Sequence, residues 1–273
     1  PTETICLTWG YAAEQREHEA KVMAEAGARQ YLCPGVGGWN QWMNLVENSY
    51  KNITRMCGYA RKYQAEGILN TDWGDCGHIN QPDFSLPGLI YGAVFSWGED
   101  ADSFEKLNEQ ISRLAYGDRS GKFVSYMAKT AECSIFDWWD ANVVYEEKVL
   151  GHPNNRNALF DTRIQDEKKR AAVHETLASL KKELKKTARE MEESCRYLVS
   201  TLELTMDAID IWNETGARLC DIEYGKEKDE AACAALAGRL EAWFMKYKAS
   251  WRSISKEGDL HHIAEIVFWY ADV

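Results

Sequence analysis

No run of apolar residues approaches the length of a membrane span, which excludes a membrane-embedded helix. Cationic residues are the minority: 32 Lys and Arg against 43 Asp and Glu leave a formal charge of -11. Binding to a phosphate backbone needs a concentrated positive surface, so no nucleic-acid partner is expected. The basic run Lys181, Lys182, Lys185 and Lys186 is interleaved with Glu183 and Glu190 and reads as a solvated helix face. None of the eight cysteines is spaced as Cys-x-x-Cys and no His-rich ligand pattern accompanies them, so neither a metal nor another cofactor is expected. In a long, helix-rich chain the thiols read as free, which points to a reducing cytoplasm. No fixed-period repeat is present, which speaks against a solenoid. The first residue is Pro1 rather than Met, so the lack of a leader segment carries no weight and the chain reads as a piece of a longer protein.

Tryptophan, by contrast, is abundant, with eleven in 273 residues. Flat apolar rings suit a protein core, and they suit the apolar face of a sugar ring equally well.

The first hundred residues alternate β-like runs with helical patterns. Thr4 to Trp9 is rich in β-formers and stops at Gly10, and helix formers follow from Ala12 to Ala26 with Gly27 just past their end. Gln30 to Cys33 is a second run, halted by Pro34-Gly35, and Asn40 to Tyr63 carries apolar residues near the 3.6 period. Gly67 to Thr71 is a third run, followed by a polar, Gly-rich loop and an apolar helix from Pro87 to Trp97. This alternation predicts parallel strands joined by helical crossovers. From Asp102 onward the pattern is helical almost throughout, with Gln165 to Asn213 readable as one long helix or two. The expected division is therefore an α/β part over residues 1–100 and an α-helical domain over 101–273.

In parallel α/β units, functional residues gather where strands end. The first run ends at Trp9-Gly10-Tyr11, and the second offers Tyr31 and then Pro34-Gly35-Val36-Gly37-Gly38-Trp39-Asn40. The third ends in Asn70-Thr71-Asp72-Trp73-Gly74-Asp75-Cys76-Gly77-His78. Neighbouring loops thus bring indoles, phenols and carboxylates to one side. That mixture suits carbohydrate, because aromatic faces stack on C–H groups while carboxylates accept from hydroxyls.

The stretch from Tyr31 to Trp97, with its Tyr-Leu-Cys-Pro-Gly-Val-Gly-Gly-Trp-Asn and Asn-Thr-Asp-Trp-Gly-Asp-Cys-Gly-His segments, resembles bacterial glycoside hydrolase family 20, the β-N-acetylhexosaminidases. The resemblance implies a fold class of α/β plus all-α: the last three βα units of a TIM-type barrel, incomplete in this chain, followed by a helical bundle. It implies hydrolysis of terminal β-linked GlcNAc or GalNAc with retention, in which the sugar's own acetamide attacks the anomeric carbon. The Asp-Glu pair that family members use as orienter and acid/base has no match here. No catalytic residue is therefore assigned, and the N-terminal half of the same barrel is the expected partner. Residue by residue, Tyr31 matches a tyrosine that binds the acetamide oxygen, and Trp73 and Asp75 match a Trp-x-Glu whose indole walls the acetamide pocket and whose carboxylate holds O4 or O6. Trp9 resembles another wall of that pocket, and Trp39, Asp72 and His78 are loop candidates for contact with the sugar. The chain departs from the family at Cys33, where an Asp is common, and at Asp75, one methylene shorter than Glu.

Other readings stay open. Tyr31 also fits a core tyrosine, Asp72 fits a residue that holds its own loop, and His78 fits a loop brace. The whole chain equally fits a non-catalytic carbohydrate-binding module, or a helical assembly module whose long helix pairs with a second copy in a homo-oligomer.

Overall fold

A computed structural model describes residues 3–98, 102–153 and 162–273. Strand β1 (Ile5–Trp9) pairs in parallel with β2 (Arg29–Cys33), placing Leu7 opposite Tyr31 and Trp9 opposite Cys33. Strand β3 (Gly67–Ile68) adds on the other side of β2, with Gly67 opposite Tyr31. Helix α1 (His18–Glu25) connects β1 to β2, and α2 (Val46–Lys62) connects β2 to β3.

The period of two along a strand sorts the side chains onto two unlike faces. On the helix-covered face, Thr8 Oγ1 donates to Gln30 Oε1 at 3.0 Å and Gln30 Nε2 donates to the Ala20 carbonyl at 2.9 Å. Leu32 packs there with Ala20, Met56 and Ala60. The opposite face carries Ile5, Leu7, Trp9 and Tyr31, and Leu7 and Trp9 remain 55% and 66% exposed. Gly67 makes room on this face: a Cβ there would lie 2.5 Å from the Tyr31 ring, which rests across β3.

The remaining described residues are mostly helical: α3 (Leu86–Trp97), α4 (Phe104–Leu114), α5 (Phe123–Ala131), α6 (Trp138–Tyr145), α7 (Thr162–Gln165), α8 (Glu167–Thr187), α9 (Tyr197–Glu223), α10 (Glu230–Ile254) and α11 (Leu260–Asp272). Several starts are capped as their sequences dictate. Ser103 accepts from Lys106 N, Asp166 from Lys169 N and Asp229 from Ala232 N, while Asp137 and Asp140 form a capping box. Residues 165–213 resolve into two helices, broken where Glu190 and Glu192 exchange backbone hydrogen bonds with the 117–119 turn. The buried carboxylate of Asp118 anchors that turn and the start of α5 by accepting from Ser120, Lys122 and Phe123.

The fold class drawn from the resemblance is corrected by this arrangement. Among the described residues the chain is mostly helical around one small sheet of three parallel strands, and it does not form three βα units of a TIM-type barrel followed by a separate bundle. The third strand is the clearest departure. Of the run Gly67 to Thr71 only Gly67 and Ile68 pair as a strand, with Thr71 rejoining through an isolated bridge to Gly35. Asn70 turns its amide away to donate to the Gly88 carbonyl of α3 at 3.0 Å. The core, moreover, is built mainly by helices. Trp42, from the segment after β2, stacks on Trp212 of α9 at 5.1 Å and lies edge-on to Trp138 of α6 and Trp243 of α10. One continuous apolar cluster runs from Trp42 to Tyr270. The expected division at residue 100 lies outside the described residues.

Candidate functional site

Helix α2 positions the strand ends through two asparagines one turn apart. Asn52, fully buried, donates to the carbonyls of Gly10 and Ala12 and accepts from Gly35 N. Asn48 donates to the Tyr11 carbonyl at 2.8 Å and accepts from Ala13 N. These bonds satisfy loop backbone that the sheet does not reach, and they hold the β1 and β2 loops side by side.

On that support sits an aromatic cluster centred on Tyr11. Trp9 stacks on Tyr11 with ring centroids 5.6 Å apart and planes 24° apart, and Trp39 meets Tyr11 edge-on at 4.7 Å. Trp73 Nε1 donates to the Tyr11 hydroxyl at 2.8 Å. Gly35 permits the close approach, since a Cβ there would fall within 3 Å of both the Trp39 and Tyr11 rings. The structure therefore brings Trp9, Trp39 and Trp73 together, through a tyrosine absent from the residues singled out above. The Trp-Gly-Tyr ending of β1 was the available signal for it.

Tyr31 lies on the same sheet face as Trp9, two residues before the end of β2 and half-buried against Gly67. Its hydroxyl makes no hydrogen bond among the described residues. Cys33, which shares that face, is buried, and burial raises its thiol pKa. Asp72 and Asp75 are exposed and make no side-chain hydrogen bond or ion pair among the described residues, so Asp72 does not hold its own loop. Asp75 opens a short 3-10 turn (Asp75–Gly77) in which Cys76 has φ 52° and His78 follows with φ 49°. That left-handed backbone is costly for residues bearing a Cβ and is held from outside. Trp138 Nε1 donates to the Cys76 carbonyl at 2.7 Å, and Tyr247 donates to the Ile79 carbonyl at 2.9 Å. His78 Nδ1 lies 3.0 Å from the Trp73 carbonyl, so its imidazole braces the loop that presents Trp73.

Nucleophilic attack by the Cys76 sulfur is disfavoured here. Burial, reinforced by Glu146 and Asp75, pushes the Cys76 thiol up to about 11, so the reactive thiolate is scarce at neutral pH. Among the described residues no group of three His, Cys, Asp or Glu is placed to hold a metal ion, no disulfide forms, and no helix is long and apolar enough to cross a membrane. The chain matches no protein-family model and no curated protein.

Proposed function

We propose that the strand-end cluster binds a terminal N-acetylhexosamine, and that the chain supplies the sugar-pocket walls of a β-N-acetylhexosaminidase whose acid/base carboxylates come from another polypeptide segment. The observation that carries the reading is the exposure of two indoles on a fixed support. Trp9 and Trp73 are 66% and 46% exposed, yet each is locked to Tyr11. Pre-organised aromatic surface of this kind offers stacking to the C–H face of a pyranose at little entropic cost. The carboxylates of Asp72 and Asp75, near Trp73 in sequence, are exposed, make no hydrogen bond or ion pair among the described residues and are able to accept from vicinal hydroxyls. Tyr31, with its hydroxyl free of partners among the described residues, is a donor for the acetamide oxygen. In the substrate-assisted reaction the acetamide oxygen bonds to the anomeric carbon as the leaving group departs with a proton from the external acid. Walls that fix the acetamide would favour that cyclisation by orientation.

Titration with N-acetylglucosamine, followed by NMR or calorimetry, tests the reading. Saturable binding is expected, weakened about tenfold by Trp73→Ala, the loss of one stacked ring at roughly 1.4 kcal/mol. An affinity unchanged by Trp73→Ala would defeat the assignment, as would a complete lack of binding. The chain alone is expected to bind without turning over an aryl N-acetylglucosaminide. Robust turnover would place the acid within these residues.

A further inference from the structure

A separate cavity of about 380 Å³ lies on the helical side of the 77–82 loop, within the size range of small-ligand sites. One wall is aromatic. Trp243, Tyr247 and Trp251 follow one another at four-residue intervals along α10, with centroids 5.2 Å and then 6.0 Å apart. Each ring has its polar tip already engaged: Trp243 Nε1 on the Leu204 carbonyl, the Tyr247 hydroxyl on Ile79 and Trp251 Nε1 on Lys256. The rings are thus fixed in orientation; Trp243 is buried against Tyr247, and the carbon surface left for a ligand belongs to the half-buried Tyr247 and Trp251. Trp251 ends the row, tilted 46° from Tyr247.

The facing walls are polar. Thr201 and Thr205 of α9 spend their protons on helix carbonyls and keep lone pairs to accept with. The Ser250 hydroxyl and the charged groups of Lys256 and Asp259 make no hydrogen bond or ion pair among the described residues. Asn80 and Gln81 add amide-bearing residues to the rim where the loop meets α10, and Asn80 is held there by donating to the Gly38 carbonyl and to Asn44.

We infer that this cavity is a binding site for a neutral saccharide of one or two rings, distinct from the strand-end cluster. An aromatic wall facing a wall of hydroxyls and amides matches the two sides of a pyranose, apolar C–H groups on its face and hydroxyls on its edge. The alternative of a quaternary ammonium fits less well. Such a cation needs a box of inward ring faces, whereas Trp243 and Tyr247 lie within 25° of parallel and cover one another. A purely apolar ring would leave the Ser250 hydroxyl and the lone pairs of Thr201 and Thr205 facing hydrocarbon.

Cellobiose, which lacks the acetamide that the strand-end cluster would read, is the discriminating probe. Titrated into the full chain and followed by tryptophan fluorescence and amide chemical shifts, it is expected to saturate and to perturb Thr201, Ser250 and Asn80. Trp251→Ala is expected to weaken it by about tenfold or more, while Trp251→Phe, which keeps an aromatic face, retains most of the affinity. Trp73→Ala is expected to leave it within about twofold, since the indole is not part of the cavity wall and the link through His78 uses the Trp73 backbone carbonyl, which the substitution keeps. Failure of cellobiose to saturate overturns the inference, as does binding of indole or choline in its place or sensitivity to Trp73→Ala in place of Trp251. Sensitivity to Trp73→Ala would place cellobiose at the strand-end cluster, whereas the other outcomes leave the reading of that cluster untouched.

Discussion

The tryptophans at the strand ends and those among the helices are the same side chain put to opposite uses. Trp138 and Trp212 are fully buried and Trp42 and Trp243 nearly so, each packed against other rings. Trp9 and Trp73 are held just as definitely by Tyr11, but they keep their surface in solvent. Burial of an indole contributes folding free energy through area removed from water, whereas an exposed and immobilised indole holds that contribution in reserve for a ligand. The comparison teaches that the abundance of tryptophan says little until each ring is assigned to one of these two states.

Deleting one ring from each set should separate them most sharply. Trp212→Ala is expected to cost about 3–5 kcal/mol, because Trp212 touches Trp42, Phe136, Trp138 and Tyr270 and a cavity among four rings collapses poorly. Its indole N–H has no acceptor, so the loss would be one of packing. Trp9→Ala, on the exposed face, is expected to stay within about 1 kcal/mol of the parent. Denaturant unfolding of both variants gives the two numbers. Comparable losses would mean that the strand-end cluster belongs to the core, and the division drawn here would be lost.

Much of this layout was legible in the sequence, and the illegible parts have physical reasons. Apolar spacing gave α2 its buried face, Val46, Ile53, Met56, Cys57 and Ala60, although the helix starts six residues later than the Asn40 suggested by periodicity, because 40–45 is spent on loop contacts such as Trp42 with the Phe136 carbonyl. Indoles at the strand ends could be anticipated from Trp9, Trp39 and Trp73, while the role of Tyr11 in joining them, hinted at by its place beside Trp9, rests on its contacts with Trp39 and Trp73 from distant segments. The fold class was misjudged for the same reason. Local pattern shows three β-like runs separated by helices, but it does not show that the helices from both halves close over one small three-stranded sheet in a single core. The cavity against α10 was likewise hidden. Trp243 and Trp251 look like core residues in the sequence, and the loop from 77 to 82 reaches them only once the chain is folded.

A milder change probes what fixes the exposed set. Tyr11→Phe keeps the ring that Trp9 and Trp39 touch and removes only the acceptor for Trp73 Nε1. Stability should fall by about 0.5–1.5 kcal/mol at most, since the released N–H is near solvent and water can replace the lost partner. Affinity for N-acetylglucosamine should fall several-fold, because Trp73 would then have to be ordered by the ligand. Full retention of affinity with lowered stability would show that the bond serves the fold alone.

The smallest effect expected is a response to acid that also distinguishes the regions. Around the sheet, Lys62 holds the Glu17 carboxyl below its ordinary range, and Arg29 does the same for Glu66 through a two-pronged pair. In the helical part, Lys186 lowers Glu183 and Arg252 lowers Glu257. A carboxylate whose pKa is lower folded than unfolded adds stability above the unfolded value, and that contribution is lost as pH falls through the folded one. These pairs join exposed groups and are screened by salt, so each contribution is small. They differ, however, in what they span. Glu17 to Lys62 and Glu66 to Arg29 link segments far apart in sequence, whereas Glu183 to Lys186 and Arg252 to Glu257 are local. Amide hydrogen exchange followed in steps from pH 5 down to pH 3 and corrected for its intrinsic rate should therefore show protection declining first in β2 and β3 and later in α8 and α10. The reverse order would mean that these long-range pairs contribute nothing to holding the sheet on its helices.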